Sequence, residues 1–70
     1  MVNKSLRLLS IYEQLTQGKV IYKAEMARRF QVNEKTIQRD IDDIRAFMAE
    51  VHEHGRELIY DRRLRGYVLK

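Results

Sequence analysis

Lys35, Thr36, Gln38 and Arg39 lie within five residues of one another, and each carries hydrogen-bond donors. Nearer the C-terminus, Arg62, Arg63 and Arg65 crowd three guanidiniums into four residues around Leu64. Arginine and glutamine have the forked side chains that match the edges of guanine and adenine. Lysine, threonine and clustered arginines suit phosphate oxygens or a minor groove. The chemistry these residues could do is therefore recognition of a polyanion. No nucleophile constellation and no glycine-rich phosphate loop accompanies them, and a chain this small offers little concave surface, so no enzyme is expected. His52, Glu53 and His54 lack the i, i+4 histidine pair that sets two ligands on one helix face. A helix C-terminus explains them adequately, and no metal or other cofactor is expected.

The elements that must position these groups have to come from a short chain. Seventy residues suffice for one domain over residues 1–70, and such a chain buries only about 60% of the surface it exposes when unfolded. With no cysteine there is neither a disulfide framework nor a thiolate metal site, which suits a reducing cytoplasm. No apolar run approaches the ~20 residues of a membrane span, and residues 1–10 lack the pattern of a signal peptide. A cytoplasmic protein without a membrane partner is expected. The hydrophobic share of 44% is that of a folded chain, which disfavours disorder. The net charge of +4 is unevenly spread: residues 1–33 sum to +4, residues 34–54 to −3 and residues 55–70 to +3. The distribution says more about a contact surface than the total does.

Leu8, Ile11, Tyr12 and Leu15 recur at helical spacing and predict a first helix over about residues 4–17, with Gly18 as its stop. Val20, Ile21 and Tyr22 read as a short strand over residues 20–22 that needs a partner elsewhere. Met26, Ala27 and Phe30 line one face of a second helix over residues 23–30. After Gln31 and Val32, Asn33 is suited to cap a third helix. Ile37, Ile41, Ile44, Met48 and Val51 carry that helix over about residues 34–52. Two runs, Leu58 to Tyr60 and Gly66 to Leu69, predict a hairpin over about residues 57–69, which accepts the short strand at one edge. The expected fold is mainly α with a small β-sheet: a three-helix bundle with a C-terminal hairpin.

A short helix, a three-residue turn and a capped second helix are the elements of helix-turn-helix DNA recognition. Advancing 100° per residue from Ile37 places Lys35, Arg39 and Asp42 opposite the apolar face, with Gln38 and Thr36 on its flanks. Gln38 and Arg39 are the candidates for base contact. Lys35 and Thr36, with Lys23 and the loop residues Arg62, Arg63 and Arg65, are the candidates for the DNA backbone, and Leu64 is expected to pack beneath the loop. Asp42 and Asp43 repel phosphates and mark where contact ends. Asp40 falls at the edge of the apolar face, where a lone carboxylate is costly. It is expected to accept hydrogen bonds from an arginine or from free backbone amides and so to fix the angle between helices.

Phe30, Gln31, Val32 and Asn33 running into Thr36-Ile37-Gln38-Arg39-Asp40-Ile41 resemble the helix-turn-helix of DeoR-type and WYL-domain transcription regulators. Ile59, Tyr60 and Asp61, the basic turn, and Gly66 with Tyr67 resemble the hairpin wing of the WYL regulators. The resemblance covers nearly the whole chain. It implies a winged helix-turn-helix that binds double-stranded DNA, with contacts by Thr36, Gln38 and Arg39. Where the family often has glycine and serine, Gln31 and Asn33 stand here, so Gln31 takes a turn conformation of positive φ that glycine adopts at lower energy. A transcription regulator, by default a repressor, is implied, acting as a homodimer on a symmetric site; the family's C-terminal effector domain is absent from these residues, so the chain is read as either an excised domain or a naturally minimal protein. Leu6 and Leu9 lie off the core face of the first helix and form a candidate dimer or docking face. The alternative is a winged helix used for protein contact without DNA.

Overall fold

Asn3 starts the first helix by accepting the Leu6 amide on its Oδ1 at 2.9 Å, satisfying one of the donors every helix start leaves free. The computed structural model describes residues 3–51 and 55–70. Its elements are α1 (Lys4–Thr16), α2 (Lys23–Phe30), α3 (Glu34–Val51), β1 (Leu58–Asp61) and β2 (Gly66–Leu69). In α1 the i, i+4 stripe of Arg7, Ile11 and Leu15 faces inward. The helix ends where Gly18 adopts a φ of 82°. Gly18 N then donates to Leu15 O and Lys19 N to Gln14 O, both at 3.0 Å, the bond pair of a Schellman ending.

The segment expected as a strand over residues 20–22 pairs through Ile21 alone. Its amide and carbonyl exchange 2.8 Å hydrogen bonds with Tyr67 of β2. Pairing stops there because the next carbonyl, that of Tyr22, accepts Met26 N at 3.0 Å and so closes the first turn of α2.

β1 and β2 are antiparallel, with Ile59 opposite Val68 and Tyr60 opposite Tyr67. One more pair, Glu57 with Lys70, continues the ladder through bonds of 2.6 and 2.8 Å. Gly66 sits where this hairpin crosses the Val20–Tyr22 segment. A Cβ there would lie 2.4 Å from Val20 Cγ1 and 3.0 Å from the Ile21 carbonyl oxygen, so the close backbone approach requires glycine.

Ile11, Leu15, Ile21, Met26, Ile37 and Ile41 are fully buried. Leu58 and Tyr67 bring the hairpin into the same core, and Leu8, Tyr12, Phe30, Val32 and Leu69 pack around it. The result is the expected mainly helical architecture with a small C-terminal sheet. The described part of α3 ends at Val51. His52, Glu53 and His54, and with them the last residue of the expected third helix, lie outside the described residues.

Candidate nucleic-acid interface

The turn between α2 and α3 is made by Gln31, Val32 and Asn33. Gln31 adopts the left-handed conformation, φ 57° and ψ 46°, and Val32 N returns to Ala27 O at 3.0 Å. Asn33 Oδ1 then accepts both the Thr36 amide at 2.8 Å and the Thr36 hydroxyl at 2.9 Å. The side-chain carbonyl has no proton to give, so the Thr36 hydroxyl donates to it. Thr36, expected at phosphates, here directs its hydroxyl proton into the cap of its own helix.

The pitch of α3 is set from behind. Asp40 is 1% exposed, and the buried Arg7 guanidinium bonds it twice, through Nε to Oδ2 and through Nη2 to Oδ1, the latter at 3.1 Å. The hydrogen bonds that Arg7 donates to Asp40, opposed by burial and reinforced by the carboxylate's charge, raise the Arg7 pKa above its ordinary value, so Arg7 stays charged. Such a two-point contact fixes orientation as well as distance. It ties the middle of α3 to the first turn of α1. Arg7 had a legible signal: it lies four residues before Ile11 on the inward stripe of its helix, opposite in charge to a carboxylate on the inward face of another.

On the outer surface, Lys35 and Arg39 are exposed. Among the described residues, the side chains of Lys35, Arg39, Arg62, Arg63 and Arg65 make no hydrogen bond or ion pair. Gln38 differs. Its Oε1 accepts Lys23 Nζ at 3.1 Å and the Tyr67 hydroxyl at 3.0 Å, and its Nε2 donates to Asp42 Oδ1 at 3.1 Å. Asp42 also receives Arg45 Nη1 at 3.0 Å, and Arg45 Nε donates to the Leu58 carbonyl at 3.2 Å. The start of α2, the outer flank of α3 and both strands of the hairpin are thus joined by one polar chain. Asp43 pairs with Lys4 at 3.1 Å. Asp42 as a partner of Gln38 had a legible signal, lying four residues on along the same helix, whereas Tyr67 as a partner of Gln38 had none.

The hairpin turn is organised by Asp61. Its Oδ1 accepts the amides of Arg63 at 2.9 Å and Leu64 at 3.1 Å, and its carbonyl accepts Arg65 N at 2.8 Å. Its ion-pair contact is Lys70, at 3.9 Å, so the loop guanidiniums stay uncommitted. Leu64 does not pack beneath the loop. It is 46% exposed, because the turn drawn tight on Asp61 carries its side chain outward. Arg65 and Lys23 line one recess, together with Glu34 at the start of α3 and Tyr67 of the hairpin. The expected contact residues Lys23, Gln38 and Arg65 are therefore gathered where α2, α3 and the hairpin meet.

Leu6 and Leu9 are 54% and 64% exposed, so the hairpin does not cover them. Leu9 joins Leu8, Tyr12, Ile44 and Phe47 in an apolar groove between α1 and α3, of which Leu6 is not a part.

A short helix, a left-handed turn, a capped and outward-facing second helix and a C-terminal hairpin define a winged helix-turn-helix. A family model described as an HTH domain matches residues 7–68, and the chain belongs to that helix-turn-helix DNA-binding family. The match is consistent with the resemblance to the winged domains of WYL-type regulators. Domains of this family are typically non-enzymatic. No curated protein and no solved structure matches the chain. Among the described residues, no helix is long and apolar enough to cross a membrane.

Proposed function

We propose that this domain is the sequence-reading part of a transcription regulator, acting in the cytoplasm on nucleoid DNA. The start of α3 enters a major groove, with Arg39 and Gln38 at base edges. Lys35, Thr36, Lys23 and the loop residues Arg62, Arg63 and Arg65 hold the flanking backbone or minor groove. The observation that carries this is the sorting of the basic side chains. Arg7 and Arg45 bond within the protein, whereas among the described residues the side chains of Lys35, Arg39 and the loop arginines make no hydrogen bond or ion pair. Asp42 and Asp43 follow Arg39 on α3 and end the stretch compatible with phosphates.

Two copies on a symmetric site about one helical turn apart, repressing by occlusion and carrying an effector domain beyond the hairpin, complete the proposal. The exposed Leu6 and Leu9 favour pairing or docking along α1. They are also what favours the second reading, a protein-contact module without DNA. Duplex selection from a random pool, followed by titration of variants, separates the two. Arg39→Ala weakens a selected site by about 1–3 kcal/mol and relaxes its sequence preference. Arg63→Ala weakens all duplexes alike and lowers the salt slope by about one. Equal losses on every sequence from both changes refute base reading by Arg39, and absence of salt-sensitive duplex binding favours the protein-contact module.

A further inference from the structure

The polar chain through Gln38 fixes what that side chain has left to give. Lysine donates and cannot accept, and an ionised carboxylate accepts and cannot donate. Lys23 on one side and Asp42 on the other therefore orient the amide without ambiguity, oxygen towards Lys23 and nitrogen towards Asp42. The Tyr67 hydroxyl meets the same oxygen and must donate to it. A carbonyl oxygen has two lone pairs, and both are taken. The amide nitrogen has two protons, and one is taken.

We infer that Gln38 reads DNA as a single N–H donor, selecting a guanine or thymine edge and disfavouring adenine; this rests on the proposed DNA-reading role. Glutamine recognises adenine by a fork in which its oxygen accepts from N6 and its nitrogen donates to N7. That oxygen is saturated here, so although adenine N7 can accept the remaining N–H, its amino group would face an acceptor with no lone pair to spare. Guanine O6 and N7, and thymine O4, accept a lone donor and return nothing that must be satisfied. Cytosine presents only its amino donor in the major groove and fits worst. Tyr67 and Lys23 thereby become specificity-determining residues through the lone pairs they occupy. Tyr67 is well placed for this, being buried in β2 and fixed by an edge-on contact with Tyr60 at 5.2 Å between ring centroids.

The test is duplex selection from a random pool with the wild type, Gln38→Ala, Tyr67→Phe and Lys23→Met, each first shown to be folded by circular dichroism. Loss of preference at one position in Gln38→Ala identifies the base that residue 38 reads. In the wild type that position carries guanine or thymine, favoured about tenfold over adenine, the scale of one unsatisfied donor. Tyr67→Phe frees a lone pair and admits adenine there, and Lys23→Met, which frees the other, does the same on a weaker background. A wild-type preference for adenine at that position overturns the inference. So does a Gln38→Ala motif identical to the wild type, or an unchanged preference in both Tyr67→Phe and Lys23→Met. If the wild type enriches no motif, the DNA-reading role itself fails, an outcome distinct from a motif with the wrong base.

Discussion

Replacing Arg7 with methionine keeps an aliphatic stem beside Ile11 but deletes the guanidinium, and it leaves the Asp40 carboxylate at 1% exposure without its partner. Removing one member of a buried ion pair costs about 3–5 kcal/mol. At 0.05–0.15 kcal/mol per residue, a chain of 70 residues has a total stability of about 4–10 kcal/mol. The substitution therefore takes a third or more of it. For a domain of this size each kcal/mol moves the melting midpoint by about 4–8 °C, so a fall of about 12–40 °C is expected. Asp40→Leu is milder, because Arg7 sits in the first turn of α1 and its long stem can carry the charge out to water. The pair Arg7→Met with Asp40→Leu removes both charges and returns to within about 1 kcal/mol of the wild type, or above it. Urea unfolding of the four proteins by circular dichroism closes the double-mutant cycle. A loss below about 1 kcal/mol for Arg7→Met, or a coupling energy near zero, refutes the idea that this pair sets the pitch of α3.

Three further substitutions probe how the interface is held. Gly66→Ala places a Cβ 2.4 Å from Val20 Cγ1 and 3.0 Å from the Ile21 oxygen; the valine can turn but that carbonyl is bonded to Tyr67. A loss of about 1–3 kcal/mol and faster amide exchange at Ile21 and Tyr67 are expected, and unchanged exchange refutes the crossing. Asn33→Ala frees the Thr36 amide and hydroxyl and lowers the denaturation midpoint by the equivalent of about 1 kcal/mol. Gln31→Gly relieves the left-handed backbone at φ 57° and raises stability by up to about 1 kcal/mol after the added freedom of the unfolded chain is counted; a loss of that size refutes strain at the turn.

Periodicity made the helices legible because burial of one face imposes a 3.6-residue repeat that needs no knowledge of neighbours. Asn33 was legible for a similar reason, since a cap acts on amides only three residues away. The expected strand at residues 20–22 shrank to a bridge because Tyr22 could serve the sheet or the start of α2, and a local pattern does not rank the two. Leu64 was misplaced because a hydrophobic residue in a loop reads as buried until the turn geometry set by Asp61 is known.

Residue order alone determined that a donor-rich surface precedes two carboxylates on one helix and that a basic loop follows. Those are properties of sequence spacing on a regular helix and of an isolated turn. Tertiary structure alone decided which of those donors are free. Two of the partners of Gln38 come from α2 and from β2, and the partner of Asp40 lies 33 residues away in α1. Hydrogen bonds between such distant residues depend on how the elements pack, and a side chain's chemistry is known only once its lone pairs and protons have been allotted.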